Sequence, residues 1–205
     1  MTGSVTDGRA RRTDEPGTDA QRERRTRILD AAIARASRGG FEAVQMRAVA
    51  EDADVALGTL YRYFPSKIHL LVSALARELE RAEAALRDHP VTGPSAAERV
   101  LLVLEGATRR MLADPHLTEA LTRAFMFADA SVRAESQAVG RLTTAMLTGA
   151  MRPSVAPDAL SDEDVAIAKV LGDVWFAALV GWVTGRTGAD EVVAQIGVAV
   201  RLLLR

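Results

Sequence analysis

Apolar residues recur at helical spacing along most of the chain, and two short helical patterns meet between residues 41 and 71. The first pattern has one apolar face, formed by Met46, Val49, Ala50 and Ala53. The second repeats the spacing with Leu57, Leu60 and Phe64. Asp54-Val55-Ala56 separates them, and Asp54 tolerates the left-handed backbone that a tight turn requires. This spacing predicts a helix-turn-helix, a motif whose second helix enters the major groove of DNA.

The second of these helices carries hydrogen-bonding and aromatic side chains on the surface it leaves exposed. Gly58 removes a side chain near its start, which lets the backbone approach a phosphate. Polar and basic residues flank the helix on both sides and are placed to hold phosphates. The predicted DNA-binding residues are Gln45, Arg47, Gly58, Thr59, Tyr61, Arg62, Tyr63 and Lys67.

The remaining pattern is also helical, with clear start and stop signals. Gly39-Gly40 ends a first helix that begins near residue 20, and Ser66 starts a long helix to about residue 88. Five further helices are predicted over about 95–113, 115–128, 130–151, 163–185 and 190–204. Residues 1–19 have almost no apolar residues and are expected to be a disordered tail. In that tail Arg9, Arg11 and Arg12 fit a solvated segment better than a DNA-contacting arm.

The last two predicted helices are apolar nearly all round, so they need more cover than one chain of this size supplies. We therefore expect them to pack against a second copy of the chain. The alternative is ordinary packing inside one subunit. The residues predicted at the dimer interface are Ala177, Gly181, Gly185, Ile196 and Val200.

Composition changes this picture little. The chain has 205 residues, a net charge of −1 and no cysteine, which excludes disulfides and cysteine-based metal sites. His69, His89 and His116 do not fall at metal-ligand spacing, and no hydrolase or phosphate-binding motif is present, so we expect neither an enzyme nor a cofactor. The longest apolar run, residues 174–183, is shorter than the ~20 residues of a membrane span. With no signal peptide at its start, the chain is expected to be soluble and cytoplasmic.

The helix-turn-helix region resembles the TetR family of transcriptional repressors. The residues that carry the likeness are Gly40-Phe41, Ala48-Val49-Ala50, Asp54-Val55 and the run of residues 58–67. Segments 20–25, 28–32, 42–50, 70–75 and 117–131 extend it, and together they are similar to repressors of sterol catabolism in actinobacteria. The chain departs from the family pattern at Val44, Gln45 and Ala56, where a helix-capping Ser or Thr is usual at the last two positions.

The resemblance implies an all-α fold, with an N-terminal three-helix helix-turn-helix DNA-binding domain over 20–65 and a C-terminal helical ligand-binding and dimerisation bundle over 66–205. It implies a homodimeric repressor that binds a palindromic DNA operator and responds to a small-molecule effector. From the residues alone, the Met and aromatic side chains of the C-terminal half fit plain core better than a pocket. The resemblance favours a ligand cavity instead, with Leu104, Met111, Arg123, Phe125, Phe127 and Trp175 as candidate ligand-binding residues.

The resemblance also implies an effector that is a sterol-derived acyl-CoA, with a fatty acyl-CoA or a lipophilic drug as alternatives. A hypothesis from another class is a helical small-molecule-binding or adaptor protein in which the motif merely packs. Exposure of Tyr61, Arg62 and Tyr63 distinguishes the two, because a DNA-reading helix must present these side chains to solvent.

Overall fold

The computed structural model describes residues 16–204, which form nine α-helices and no strand. The predicted all-α fold is therefore confirmed. The helices are α1 Pro16–Ala43, α2 Met46–Asp52, α3 Leu57–Tyr63, α4 Lys67–Asp88, α5 Ala96–Ala113, α6 Pro115–Met126, α7 Arg133–Met151, α8 Asp162–Val183 and α9 Ala189–Leu203. Most of the expected N-terminal tail, including its three arginines, lies outside the described residues.

Helix α1 is longer than predicted and is broken near its end. It begins at Pro16, so residues 16–19 are helical rather than part of a tail; proline is favoured at the first helical position. The break is at Gly39 and Gly40, where the sequence predicted the helix to stop. Gly40 has φ +67°, a left-handed conformation that suits glycine. After it the chain makes one short helical turn to Ala43.

Helices α1, α2 and α3 form a small unit around a shared apolar core. Its fully buried side chains include Ile28 and Leu29 of α1, Val49 of α2 and Leu60 of α3. Outside this core, Arg35 of α1 donates two hydrogen bonds to the carboxylate of Asp52, at 2.7 and 2.8 Å, and so ties α2 to α1. These contacts fix the angle at which α1 presents the two short helices.

Helix α4 connects this unit to the rest of the molecule. Ser66 caps it by accepting a hydrogen bond from His69 N at 3.0 Å, as its position in the sequence predicted. The buried guanidinium of Arg77 donates to Thr26 O at 3.2 Å and lies 2.7 Å from a carboxylate oxygen of Asp30. The same helix packs against α6 and α7. Helix α4 therefore contacts both the N-terminal unit and the C-terminal bundle.

Three of the five residues predicted at the dimer interface are buried within the C-terminal bundle of the single subunit. Ile196 and Val200 of α9 are buried inside the single subunit, so they are not available to a partner. Gly181 is also buried, and a Cβ there would meet Thr187 Oγ1 of the same chain at 2.8 Å. Gly185 lies beyond the end of α8, at φ +69°. Of the predicted set, only Ala177 and Gly185 are exposed.

Among the described residues, one helix is long and apolar enough by length and composition to cross a membrane. It is α8, and 33% of its most apolar window is buried. The sequence prediction considered only the uninterrupted apolar run of residues 174–183, which lies between Asp173 and Thr184. Because α8 packs against α6, α7 and α9, it has the surroundings of a helix in a bundle.

Candidate functional site

The turn between α2 and α3 has the predicted geometry. Asp54 has φ +51°, and among the described residues no other non-glycine residue has a positive φ. Val55 N donates to Ala50 O at 3.0 Å and closes the turn. Neither Gln45 nor Ala56, the N-cap residues of α2 and α3, makes a side-chain capping hydrogen bond. The two helices are held by packing and by this turn rather than by caps.

Helix α3 presents part of its predicted DNA-reading surface to solvent. Tyr61 is 46% exposed, Arg62 and Gly58 are exposed, and nothing lies within 4 Å of a Cβ built on Gly58. Thr59 is half-buried. Tyr63 differs from the expectation, because it is half-buried and packs against the core with its ring 6.4 Å from that of Phe64. The exposed side chains disfavour the adaptor hypothesis, in which the whole motif packs inward.

The flanking residues that were predicted to hold phosphates have different environments. Gln45 and Arg47 are exposed; Gln45 Nε2 donates to Glu42 O at 2.8 Å, and Arg47 pairs with Glu51 at 3.2 Å. Lys67 instead packs inward, with Nζ 3.9 Å from the centre of the Phe41 ring. Burial is the main cause that lowers the pKa of Lys67 below its ordinary value. In this conformation its ammonium group is engaged by the protein.

The C-terminal bundle encloses a cavity of about 1250 Å³. This volume exceeds the ~300–1,000 Å³ of pockets that hold drug-sized ligands. Its walls come from α4, α5, α6, α7 and α8, together with the loops before α5 and before α8. Apolar and aromatic residues on its walls include Leu75, Leu79, Val103, Leu121, Phe125, Met146, Trp175, Phe176 and Leu179. The cavity suits a large apolar molecule.

Three of the six candidate ligand-binding residues line this cavity. They are Met111, Phe125 and Trp175. Leu104 is buried elsewhere in the core, Phe127 is 64% exposed at the end of α6, and Arg123 pairs with Glu42 and Glu119. The cavity wall does not include these three residues, because helical spacing shows which residues share a face but not which face points into the cavity.

Ordered contacts hold the aromatic wall of the cavity. Trp175 Nε1 donates to the buried Thr108 Oγ1 at 3.0 Å, which satisfies the indole in an apolar site. Phe125 and Phe176 meet edge to face with ring centres 5.0 Å apart. This wall therefore joins α5, α6 and α8.

Five charged residues also line the cavity. Arg87, Arg141, Lys169 and Asp173 are exposed, and Glu83 is half-buried. Arg87 forms an ion pair with Glu83. The lining thus has three cationic side chains against two acidic ones, whereas most of its residues are apolar.

Comparison with known families accounts for both features of the molecule. Residues 28–86, which include the helix-turn-helix, match the family described as bacterial regulatory proteins of the tetR family. Residues 93–203, which include most of the cavity, match the tetracyclin repressor-like C-terminal domain. The chain belongs to the TetR family of transcriptional regulators.

Relatives in this family resemble the chain over nearly its whole length. The HTH-type transcriptional repressor KstR of Rhodococcus jostii (strain RHA1) is 53% identical over 191 residues, which are 93% of this chain and 87% of that protein. The predicted resemblance to an actinobacterial repressor of this type is confirmed. The relatives are repressors, so this TetR-family chain is a DNA-binding regulator and not an enzyme.

Solved structures show the same TetR-family fold. A TetR transcriptional regulator from Rhodococcus sp. RHA1 superimposes with a TM-score of 0.78 at 31% identity, covering 90% of this chain and 97% of that one. Thermus thermophilus FadR, a TetR-family repressor in complex with lauroyl-CoA, superimposes with a TM-score of 0.66 at 21% identity. That pair covers 87% of this chain and 92% of FadR.

Within residues 16–204, no group of three His, Asp or Glu side chains could hold a metal ion. One contact that bears on function lies outside the sequence prediction. Glu119 of α6 contacts the end of α1, 78 positions earlier in the chain. The break at Gly39-Gly40 was visible in the sequence, but no local signal pairs it with α6.

Proposed function

We propose that the chain is a homodimeric, ligand-responsive repressor that binds a palindromic operator, controls genes of sterol catabolism and is released by a sterol-derived acyl-CoA in the bacterial cytoplasm. The observation that carries the proposal is the coexistence, in one subunit, of an exposed reading helix and a large apolar cavity whose lining includes three exposed basic residues. We retain residues 20–65 as the DNA-binding domain and 66–205 as the ligand-binding and dimerisation domain.

Operator recognition is assigned to α3 and its flanks. Thr59, Tyr61 and Arg62 reach base edges or phosphates, and the bare backbone at Gly58 lies against a phosphate. Tyr63 supports the helix from its half-buried position. Gln45 and Arg47 hold the backbone at the start of α2. Lys67 contributes a phosphate contact only if its ammonium leaves the Phe41 ring, which makes it the weakest member of the set.

A homodimer supplies the second reading helix. Apolar side chains remain exposed at helical spacing on one face of α8 and one of α9. They are Ala166, Val170 and Ala177 on α8, and Ala194, Val198 and Leu202 on α9. These residues replace the buried ones first predicted. Self-association through them buries a surface that is otherwise unpartnered. To bind neighbouring major grooves, the two α3 helices of the dimer need a spacing of about 34–36 Å.

An acyl-CoA fits the cavity in two parts. Its apolar acyl group takes the walls around Phe125, Trp175 and Phe176, and the volume favours a bulky group. Its anionic phosphates pair with exposed basic residues of the lining, Arg87, Arg141 or Lys169. The similarity to KstR repressors supports a sterol acid, while the acyl-CoA in FadR supports a fatty acid as the second candidate. A lipophilic drug without an anionic group would form no ion pair with these cationic residues.

Release requires that the effector bind the DNA-incompetent arrangement more tightly than the competent one. Helix α4 contributes Leu75, Leu79 and Leu86 to the cavity and also packs against α1. A ligand that displaces α4 therefore changes the spacing of the two α3 helices in the dimer.

The test selects DNA fragments that bind the full-length protein, with and without a sterol-acid coenzyme A thioester, beside lauroyl-CoA and the free sterol acid. We expect palindromic fragments that are lost when the sterol thioester is added and retained with the free acid. Thermal melting of the protein with the same panel ranks the ligands, because a ligand that binds only the folded state raises Tm. Absence of a palindromic fragment, or release by every lipophile alike, would refute the proposal.

A further inference from the structure

Helix α6 carries two sets of residues with different partners. Leu121, Thr122 and Phe125 line the cavity, and Phe125 also packs edge to face on Phe176. Glu119 and Arg123 instead contact the end of α1. Because all five side chains lie within two turns of one helix, a displacement on the cavity side moves the other side as well.

Glu119 holds the backbone at the break in α1. Its Oε2 accepts a hydrogen bond from Phe41 N at 2.7 Å, and a charged acceptor makes this a strong bond. The approach is possible because residue 40 is glycine: a Cβ there would lie 2.6 Å from the same oxygen. The left-handed φ of Gly40 turns the Phe41 amide toward α6.

Arg123 contacts the side chains of the two residues that follow Gly40, Phe41 and Glu42. It lies 3.0 Å from Glu42 Oε1 and 3.5 Å from Glu119 Oε1, and its guanidinium carbon is 4.5 Å from the centre of the Phe41 ring. The ammonium of Lys67, in the first turn of α4, is 3.9 Å from the same ring centre. Side chains of α4 and α6 therefore both contact the Phe41 ring at the end of α1. Helix α2 begins only five residues after Phe41.

We propose that Glu119 and Arg123 are positioning residues that couple the cavity to the helix-turn-helix through Gly40, Phe41 and Glu42. These five residues are named the α6 latch. Through these contacts a ligand that moves α6 also moves the end of α1, and the α2–α3 pair turns with it. Lys67 of α4 contacts the same Phe41 ring, so α4 adjoins this connection. This inference rests on the proposed function insofar as the ligand is the effector.

Substitutions that remove the contacts of the α6 latch test this proposal. The effect of the thioester on operator affinity and the affinity for the thioester itself are measured separately. Full-length Glu119→Ala and Arg123→Ala are compared with Arg109→Ala, an exposed arginine that pairs only within α5, with Glu105. Operator affinity is measured with and without saturating sterol-acid coenzyme A thioester. Tryptophan fluorescence, to which Trp175 in the cavity and Trp182 both contribute, gives the dissociation constant of the thioester.

We expect the thioester to weaken operator binding about 5- to 150-fold in the wild type and in Arg109→Ala, but less than about threefold in the two latch variants. Their dissociation constants for the thioester should stay within about threefold of the wild type. The inference would be overturned if the latch variants bind the thioester and still lose operator affinity by the same factor as the wild type. Arg123 and Glu42 are partly exposed, so Arg123→Ala keeps the test open if Glu119→Ala fails to fold.

A ligand-free measurement separates failure of the α6 latch from failure of the proposed effector. Amide hydrogen exchange is followed in peptides covering residues 46–63 of the unliganded proteins. We expect exchange at least about threefold faster in Glu119→Ala and Arg123→Ala than in the wild type, with Arg109→Ala unchanged. If the thioester does not change operator binding by the wild-type protein, the proposed effector is wrong. The hydrogen-exchange rates then test the α6 latch by themselves, and rates in the two latch variants equal to those of the wild type would overturn it.

Discussion

In the proposed operator complex, Tyr61 is the largest exposed side chain of α3. It lies outside the apolar core, so its removal should spare the fold. We expect Tyr61→Ala to weaken operator binding by about 1–3 kcal/mol. Fluorescence anisotropy with a labelled operator measures the change, and Glu80→Ala, an exposed position on α4, is the control. Equal operator affinity in both variants would remove Tyr61 from the interface.

Asp52 links stability to pH through its partner on α1. Hydrogen bonds from Arg35, and further attraction to Arg35 and Arg38, hold the pKa of Asp52 below 3.8, against a smaller opposing effect of burial. A lowered carboxyl pKa means that the stabilisation is present above the ordinary pKa and is lost as the pH falls through the folded-state value.

Asp52→Asn should therefore have a lower Tm than the wild type near neutral pH, and the difference should shrink as the pH falls below 3.8. Thermal melting across this pH range checks it, with the exposed Glu80→Gln as the matched control. A Tm difference that does not depend on pH would show that the ion pair with Arg35 has no part in it.

At the scale of elements, α3 is a short helix without a side-chain cap. Ala56 already has the extended backbone of an N-cap residue, with φ −63° and ψ 141°, and only the side-chain acceptor is missing. We expect Ala56→Ser to raise the free energy of unfolding by about 1 kcal/mol. Urea denaturation measures it, and a midpoint that stays the same or falls would argue that α3 is constrained by packing alone.

The helices could be predicted where their ends depend on nearby residues. Ser66 and Asp114 cap α4 and α6 through hydrogen bonds to amides three residues on, so the signal is local. It was harder to predict from the sequence which neighbouring segment each helix face contacts. Ile196 was assigned to a partner and Arg123 to the ligand, yet one is in the core and the other meets Glu42. Both errors concern contacts between distant segments, on which helical periodicity carries no information.

For the whole molecule, the proposed homodimer depends on the exposed apolar face of α9. Val198 is 49% and Leu202 60% exposed, although both are apolar. We expect Leu202→Arg to convert the dimer to monomer, because it introduces a charge on both sides of the two-fold interface. Light scattering after size exclusion measures the mass. The control is Leu102→Arg, which changes a comparably exposed leucine on α5. A dimer that survives Leu202→Arg would place the interface elsewhere.

We propose that two copies of the chain hold one operator and leave it when an acyl-CoA fills the cavity. Sedimentation velocity of a labelled operator with the full-length protein, before and after addition of the sterol-acid coenzyme A thioester, measures both the number of bound chains and their release. We expect an even number of chains on each operator, and free DNA once the thioester is present. A single chain on the operator, or a complex that the thioester leaves intact, would contradict it.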